Sequence, residues 1–206
     1  MKGVLLGAAL CLAALGAGAQ EPYVVKPVVQ KKVKQLPPGP LFWRVENFPT
    51  VEKARSAADA AGWNPDSVSY QTSTSLVAEV AGKVWLFTLG PKGGSTPGGS
   101  KVAEIGPVPP VEASEYLLRV NHGYGPPGAK TPIHTHPGSE AFYVVAGRLG
   151  QTTPHGTAHA DAGQTMNGHP GGMPMQVFNA GTTELTALIM FVVDASKPFS
   201  TPAQMH

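Results

Sequence analysis

Two histidines, two residues apart, and a glutamate four residues after the second are the residues whose spacing most clearly permits chemistry. They are His134, His136 and Glu140, in the segment Gly128 to Gly147, GAKTPIHTHPGSEAFYVVAG. On a strand, residues i and i+2 share a face, so both imidazoles point the same way. Pro137-Gly138 reverses the chain, and Glu140 opens the next strand beside the pair. Two neutral nitrogen donors and one carboxylate then face one space. That is a three-ligand set which leaves other metal positions open. Ile133, Phe142, Val144 and Val145 would surround it with apolar side chains. An HxH pair alone is weak, since two polar residues on an exposed strand give the same pattern. The turn and the glutamate strengthen it.

The segment resembles the first motif of the cupin family, G-x5-H-x-H-x3-E-x6-G. Gly128, His134, His136, Glu140 and Gly147 fill every defined position. The resemblance implies an all-β fold, a double-stranded β-helix or jelly-roll barrel. It also implies a divalent metal (Fe, Mn, Zn, Ni or Cu, not distinguished) held by His134, His136 and Glu140 in the barrel mouth. The family's second motif, G-x5-P-x-G-x2-H-x3-N, is met in part. Pro170, Gly172 and Asn179 fit, and Gly163 lies one residue too far from Pro170.

Met175 stands where the family has a third histidine. Three readings follow. Met175 is itself a ligand, as thioethers are for soft metals such as Cu(I). Alternatively His169 or His159 replaces the missing ligand. Or Met175 is barrel packing and the site has three protein ligands. Among the other histidines, His155 reads as a turn residue, His122 as loop surface and His206 as a chain end. His159 shares a face with Thr157 and Asp161, either inside the barrel or outside it. Phe142 and Tyr143 alternate, so one of the two is expected to face outward. Gln151 and Gln164 are candidate polar contacts without a specific signal.

The elements that must position these residues are short. The 206 residues include 25 glycines and 21 prolines, with 42% hydrophobic residues. Turns between short apolar runs are the layout of a sandwich or barrel. Strands are expected at Leu41–Phe48 (as an edge), Leu76–Val80, Lys83–Leu89, Glu115–Val120, Ile133–His136, Ala141–Ala146, Thr157–Asp161, Met175–Asn179 and Thr186–Val193. Thr50 to Ala61 reads as a helix capped by Thr50 and ended by Gly62. Asn64-Pro65-Asp66 reads as a turn. The divisions are a signal peptide over 1–19, a proline-rich linker over 20–40, an extension with a short helix over 41–75, and the barrel over 76–206.

Lys2, the apolar run Val4 to Leu15 and Ala17-Gly18-Ala19 form the three parts of a secretory signal peptide, cut after Ala19. The chain is therefore expected to be secreted or periplasmic. Cleavage would remove Cys11, the only cysteine, and leave no disulfide and no membrane-spanning segment. A formal net charge of +2 gives no footprint for nucleic acid. No G-x-S-x-G, mature cysteine nucleophile or P-loop is present. A small-molecule substrate or ligand is the expected partner, and a homodimer covering an edge strand is one the resemblance admits. Metal-dependent catalysis of oxygenase, isomerase or lyase type and non-catalytic metal or ligand binding both remain open.

Overall fold

The computed structural model describes residues 22–61 and 74–205. The signal segment, Gly62, the Asn64-Pro65-Asp66 turn and His206 lie outside the described residues.

Alternation builds the strands, and stacking of sheets covers both faces of the central one. Five strands lie in the order β1 (Val24–Val33), β6 (Tyr116–Gly125), β13 (Leu185–Asp194), β8 (Gly138–Ala146) and β11 (Thr165–Asn167). One face of this sheet packs on three strands, β10 (Gly156–Asp161), β9 (Arg148–Thr153) and β12 (Gln176–Asn179). Phe142, Val144, Leu149, Val177, Ile189 and Phe191 fill the space between them. The short pair β7 (His134–Thr135) and β14 (Thr201–Pro202) lies at the site described below. The other face packs on a four-stranded sheet, β3 (Ser75–Val80), β4 (Lys83–Gly90), β2 (Phe42–Phe48) and β5 (Ser100–Ile105). Trp43, Val45, Trp85 and Phe87 meet Leu118, Val120, Leu188 and Met190 there. Every paired register is antiparallel. A strand covered on both sides needs apolar residues at successive positions, and β13 reads LTALIMFVVD.

The expected all-β architecture with a short N-terminal helix is the one the chain adopts. The helix α1 runs Val51–Ala61. Thr50 Oγ1 accepts a hydrogen bond from the Lys53 amide at 3.3 Å, an N-cap. Gly147 joins β8 to β9 at φ +78°, where a side chain would also strike the Glu184 backbone. This gives one motif glycine a physical reason. Asn179, the last position of the second motif, is also structural. Its Nδ2 donates to the Gly125 and Thr183 carbonyls at 2.9 and 2.7 Å, and its Oδ1 accepts from the Gly181 amide at 2.8 Å.

Several expectations are corrected. The segment expected as a proline-rich tether contains β1, which pairs with β6 from Val24↔Tyr124 to Val33↔Tyr116. Pro27 is tolerated because β1 is an edge strand and its register shifts between Pro27 and Val29. The strand expected as an edge, β2, is interior, bonded to β4 on one side and β5 on the other. The 75/76 division thus falls inside a sheet, with β3, β4 and β5 joining β2 outside the barrel. Phe142 and Tyr143 take opposite faces as expected, but the outward one is covered by the outer sheet. Phe142 packs into the barrel, and Tyr143 tilts against Trp85 with ring centroids 5.8 Å apart. His122 is part of β6 and half-buried, not loop surface. Strands β5, β9, β11 and β14 have too few apolar residues to be visible in the pattern. Among the described residues, no helix is long and apolar enough to cross a membrane.

Candidate metal centre

Backbone pairing places the first two residues. His134 and Met175 exchange both backbone hydrogen bonds, at 3.0 and 2.9 Å, so their side chains leave the same face of the pair. His136 follows two residues later, and its ring lies 4.8 Å from that of His134, edge to face. The turn through Pro137 then delivers β8, on which Glu140, Phe142 and Val144 share the inward face.

The histidine tautomers follow from their partners. His134 Nδ1 lies 2.9 Å from the Pro132 carbonyl oxygen, and His136 Nδ1 lies 2.6 Å from the Phe199 carbonyl oxygen. A carbonyl only accepts, so each Nδ1 carries the proton and each Nε2 keeps its lone pair. Metal-binding histidines are commonly oriented in this way. Burial pushes the His136 pKa down to about 4, partly opposed by the Phe199 hydrogen bond and assisted by nearby His134 and Arg119. Its imidazole is therefore neutral at pH 7. Nε2 of His136 lies 3.9 Å from Glu140 Oε2.

Among the described residues, Glu46 and Glu140 are the two carboxylates with 2% exposure or less, and the contrast between them is informative. Glu46 accepts from Arg44 Nε at 2.9 Å, from the Thr96 amide at 2.8 Å and from the Thr96 hydroxyl at 2.6 Å. It has a cation and two further donors. Glu140, equally buried, accepts from Gln151 Nε2 and has a neutral imidazole as its neighbour. Burial raises its pKa to about 8, partly offset by Gln151. A buried carboxylate without a cation is costly as an anion. The Gln151 amide also reaches Met175 Sδ at 3.5 Å, while its Oε1 is buried without a partner.

The donor types suit a divalent cation: two Nε2 lone pairs, a carboxylate lacking a counter-charge, and a thioether. Their positions suit it less well. Among the described residues, no group of three or more His, Cys, Asp or Glu is gathered closely enough to hold a metal ion. His136 and Glu140 form a close pair, with His134 beside His136 and Met175 beside Gln151.

The proposed replacements for the missing histidine do not join this cluster. His159 is exposed, as are Thr157 and Asp161, so that face of β10 is the outer one. The His159 ring lies 6.2 Å from that of Phe178, edge to face. His169 is half-buried in the loop between β11 and β12, and its pKa is lowered by burial and by nearby His155. His155 is an exposed turn residue, as its setting indicated.

Sequence reasoning named Gln151 only as a possible polar contact and missed Phe199, Arg119 and Tyr23. Phe199 lies in the segment after β13 and packs on His136 and Phe191 at centroid distances of 4.8 and 4.9 Å. No local pattern marks any of the four, because each meets the site through a long-range contact. A cavity of about 630 Å³ lies elsewhere, between Leu36–Leu41 and Pro107–Val111, with apolar walls.

No protein-family model matches the chain, and no curated protein is significantly similar to it. Solved structures are similar to parts of it. A DMSP lyase from Ruegeria pomeroyi DSS-3 is 22% identical over 42% of this chain and 43% of its own, with a TM-score of 0.37. A cupin-like protein from Thermotoga maritima is 18% identical over 43% and 65%, at 0.38. A protein with a double-stranded beta-helix domain from Klebsiella pneumoniae is 22% identical over 42% and 70%, at 0.36. The chain thus spans less than half of the lyase's length.

Proposed function

We propose that the barrel interior is a divalent metal site, with Nε2 of His134 and His136 and the carboxylate of Glu140 as ligands and Met175 at the fourth position. One observation carries the reading. Both imidazoles spend Nδ1–H on backbone carbonyls, so their free lone pairs belong to Nε2, and one of these faces a buried carboxylate that has no cation. A bound cation would supply that charge and would act as a Lewis acid toward a small molecule at its open positions. His134 and His136 hold their rings in one tautomer, Gln151 steadies Glu140, and Phe191 and Phe199 limit water around His136. The proposal includes export, which rests on the 1–19 segment. The donor set favours no particular reaction, so the reading extends to a metal-dependent protein acting on or binding a small molecule.

Elemental analysis of the purified protein tests it. About one metal per chain is expected, with most of it lost in the His134→Ala, His136→Ala double variant. Equal metal in the variant, or none in the wild type after growth with each candidate metal, would overturn the proposal.

A second reading has its own observation. A carboxyl with a pKa near 8 is protonated at neutral pH and can donate a hydrogen bond. In this reading the interior binds a small polar ligand without metal. A ligand-dependent rise in melting temperature, unchanged by chelator, would favour it.

A further inference from the structure

The wall beside Glu140 is made of hydrogen-bond donors. Across the central sheet, Arg119 is in register with Phe191, and Phe191 with Glu140. Directly paired residues share a face, so Arg119 lies on the barrel side. Asn121 and Gly123 follow on the same face of β6, in register with Ile189 and Ala187 of the inner core.

Arg119 has no carboxylate against it; among the described residues, no ion pair includes it. It is not a loose surface arginine. Its Nε donates to Asn121 Oδ1 at 2.7 Å, and its guanidinium carbon lies 4.1 Å from the centre of the Phe199 ring. The carboxamide that holds it is almost fully buried. These contacts orient the guanidinium and leave its terminal NH2 groups as donors. It is near enough to oppose protonation of His136. With Oδ1 spent on Arg119, Asn121 has its Nδ2 donor left to offer.

Tyr23 adds to the same wall. Its hydroxyl is buried and has no hydrogen-bond partner. It lies over Gly123, where a Cβ would collide with it. Burial first, and then the charge of nearby Glu140, disfavour its ionisation. A buried hydroxyl without a partner calls for one.

We propose that this wall binds a small organic carboxylate that carries a second oxygen function. Arg119, with Asn121, takes the carboxylate through the forked geometry that suits it. The Tyr23 hydroxyl meets the second oxygen. Arg119 and Gly123 are four residues apart on one strand, about 13 Å between Cα atoms, so one carboxylate does not engage both ends. The inference names the ligand class for the interior proposed above. It rests on that interior being the site and not on the metal.

The test is calorimetric and thermal titration of the full chain with succinate, malate and the neutral succinamide, with metal content measured on the same samples. At least one acid is expected to bind at about 1 mM or tighter, with succinamide much weaker. Arg119→Gln should weaken the acid by about 10- to 100-fold and leave metal content unchanged. Tyr23→Phe should weaken it by about 2- to 10-fold. If Arg119→Gln does not fold, Arg119→Lys, which keeps charge without the fork, should still bind several-fold more weakly than wild type. Absence of acid binding in the wild type, equal binding of succinamide, or wild-type affinity in the foldable Arg119 variant would overturn the proposal. Acid binding that needs Arg119 in a protein without metal would sustain it and remove the metal reading alone.

Discussion

The His136 imidazole and the Glu140 carboxylate face each other at 3.9 Å with the ring neutral and the acid buried. Two ligand atoms on one tetrahedral cation, with bonds of roughly 2.0–2.2 Å, stand about 3.3–3.6 Å apart, so the pair would close by a few tenths of an ångström on binding metal. Glu140→Gln removes the charge and keeps the shape. It is expected to lower metal affinity by at least about 10-fold, read by competition with a chelating dye. Unchanged affinity would remove Glu140 from the ligand set.

Without metal, the same pair sets the pH dependence of stability. The Glu140 pKa is about 8 in the folded chain against an ordinary 4.5. Its contribution is present below pH 4.5 and drains away as pH rises toward 8, because the unfolded acid ionises first. His136 acts in the opposite sense, with about 4 against 6.5. Its contribution is present above pH 6.5 and is lost as pH falls to 4. The chelator-treated protein should therefore melt at lower temperature at pH 8 than at pH 5.5. Glu140→Gln should flatten the alkaline side, and a pH-independent wild type would contradict this assignment.

Gln151 holds both Glu140 and Met175. Gln151→Ala leaves the carboxyl without the hydrogen bond that offsets its burial. A loss of about 1–3 kcal/mol in denaturant unfolding is expected. Loss of metal without loss of stability would instead assign Gln151 to the orientation of Glu140 alone.

Phe199 ties the C-terminal segment to the site by accepting from His136 Nδ1 and packing on its ring. Phe199→Ala keeps the carbonyl and removes the ring, which is half-buried. A destabilisation of about 1–3 kcal/mol is expected, below that of a fully buried phenylalanine. Removing residues 198–206 takes the carbonyl as well. That truncation should weaken metal binding more than Phe199→Ala does, and equal affinities would show that the hydrogen bond does not matter.

The hairpin between β3 and β4 turns through Ala81 and Gly82, with φ of 51° and 69°. Alanine in the left-handed region is strained, and Asn-Gly is the favoured pair for such a turn. Ala81→Asn should stabilise the fold by about 0.5–1 kcal/mol, seen as a higher melting temperature with the site unaffected.

The residues legible beforehand were those whose roles are set by local spacing. The parity of His134 and His136, the reversal at Pro137-Gly138 and the start of β8 near Glu140 follow from the period of a strand and the chemistry of a turn. So do the Thr50 cap and the paired strands expected at Leu76–Val80 and Lys83–Leu89. A period of two decides which residues share a face, but not what covers that face. That is why Val24–Val33 and the edge position of β2 were misread: edge strand β1 is held by pairing, not by its own pattern, and β2 is bonded on both sides. Only the tertiary structure joins Phe199 to His136 across 63 positions and Gln151 to Glu140 across 11. It alone turns His159 outward and sets Arg119 and Tyr23 on the inner wall. Those contacts depend on register and on how sheets stack, and both are settled by the sum of many distant pairings that no short segment carries.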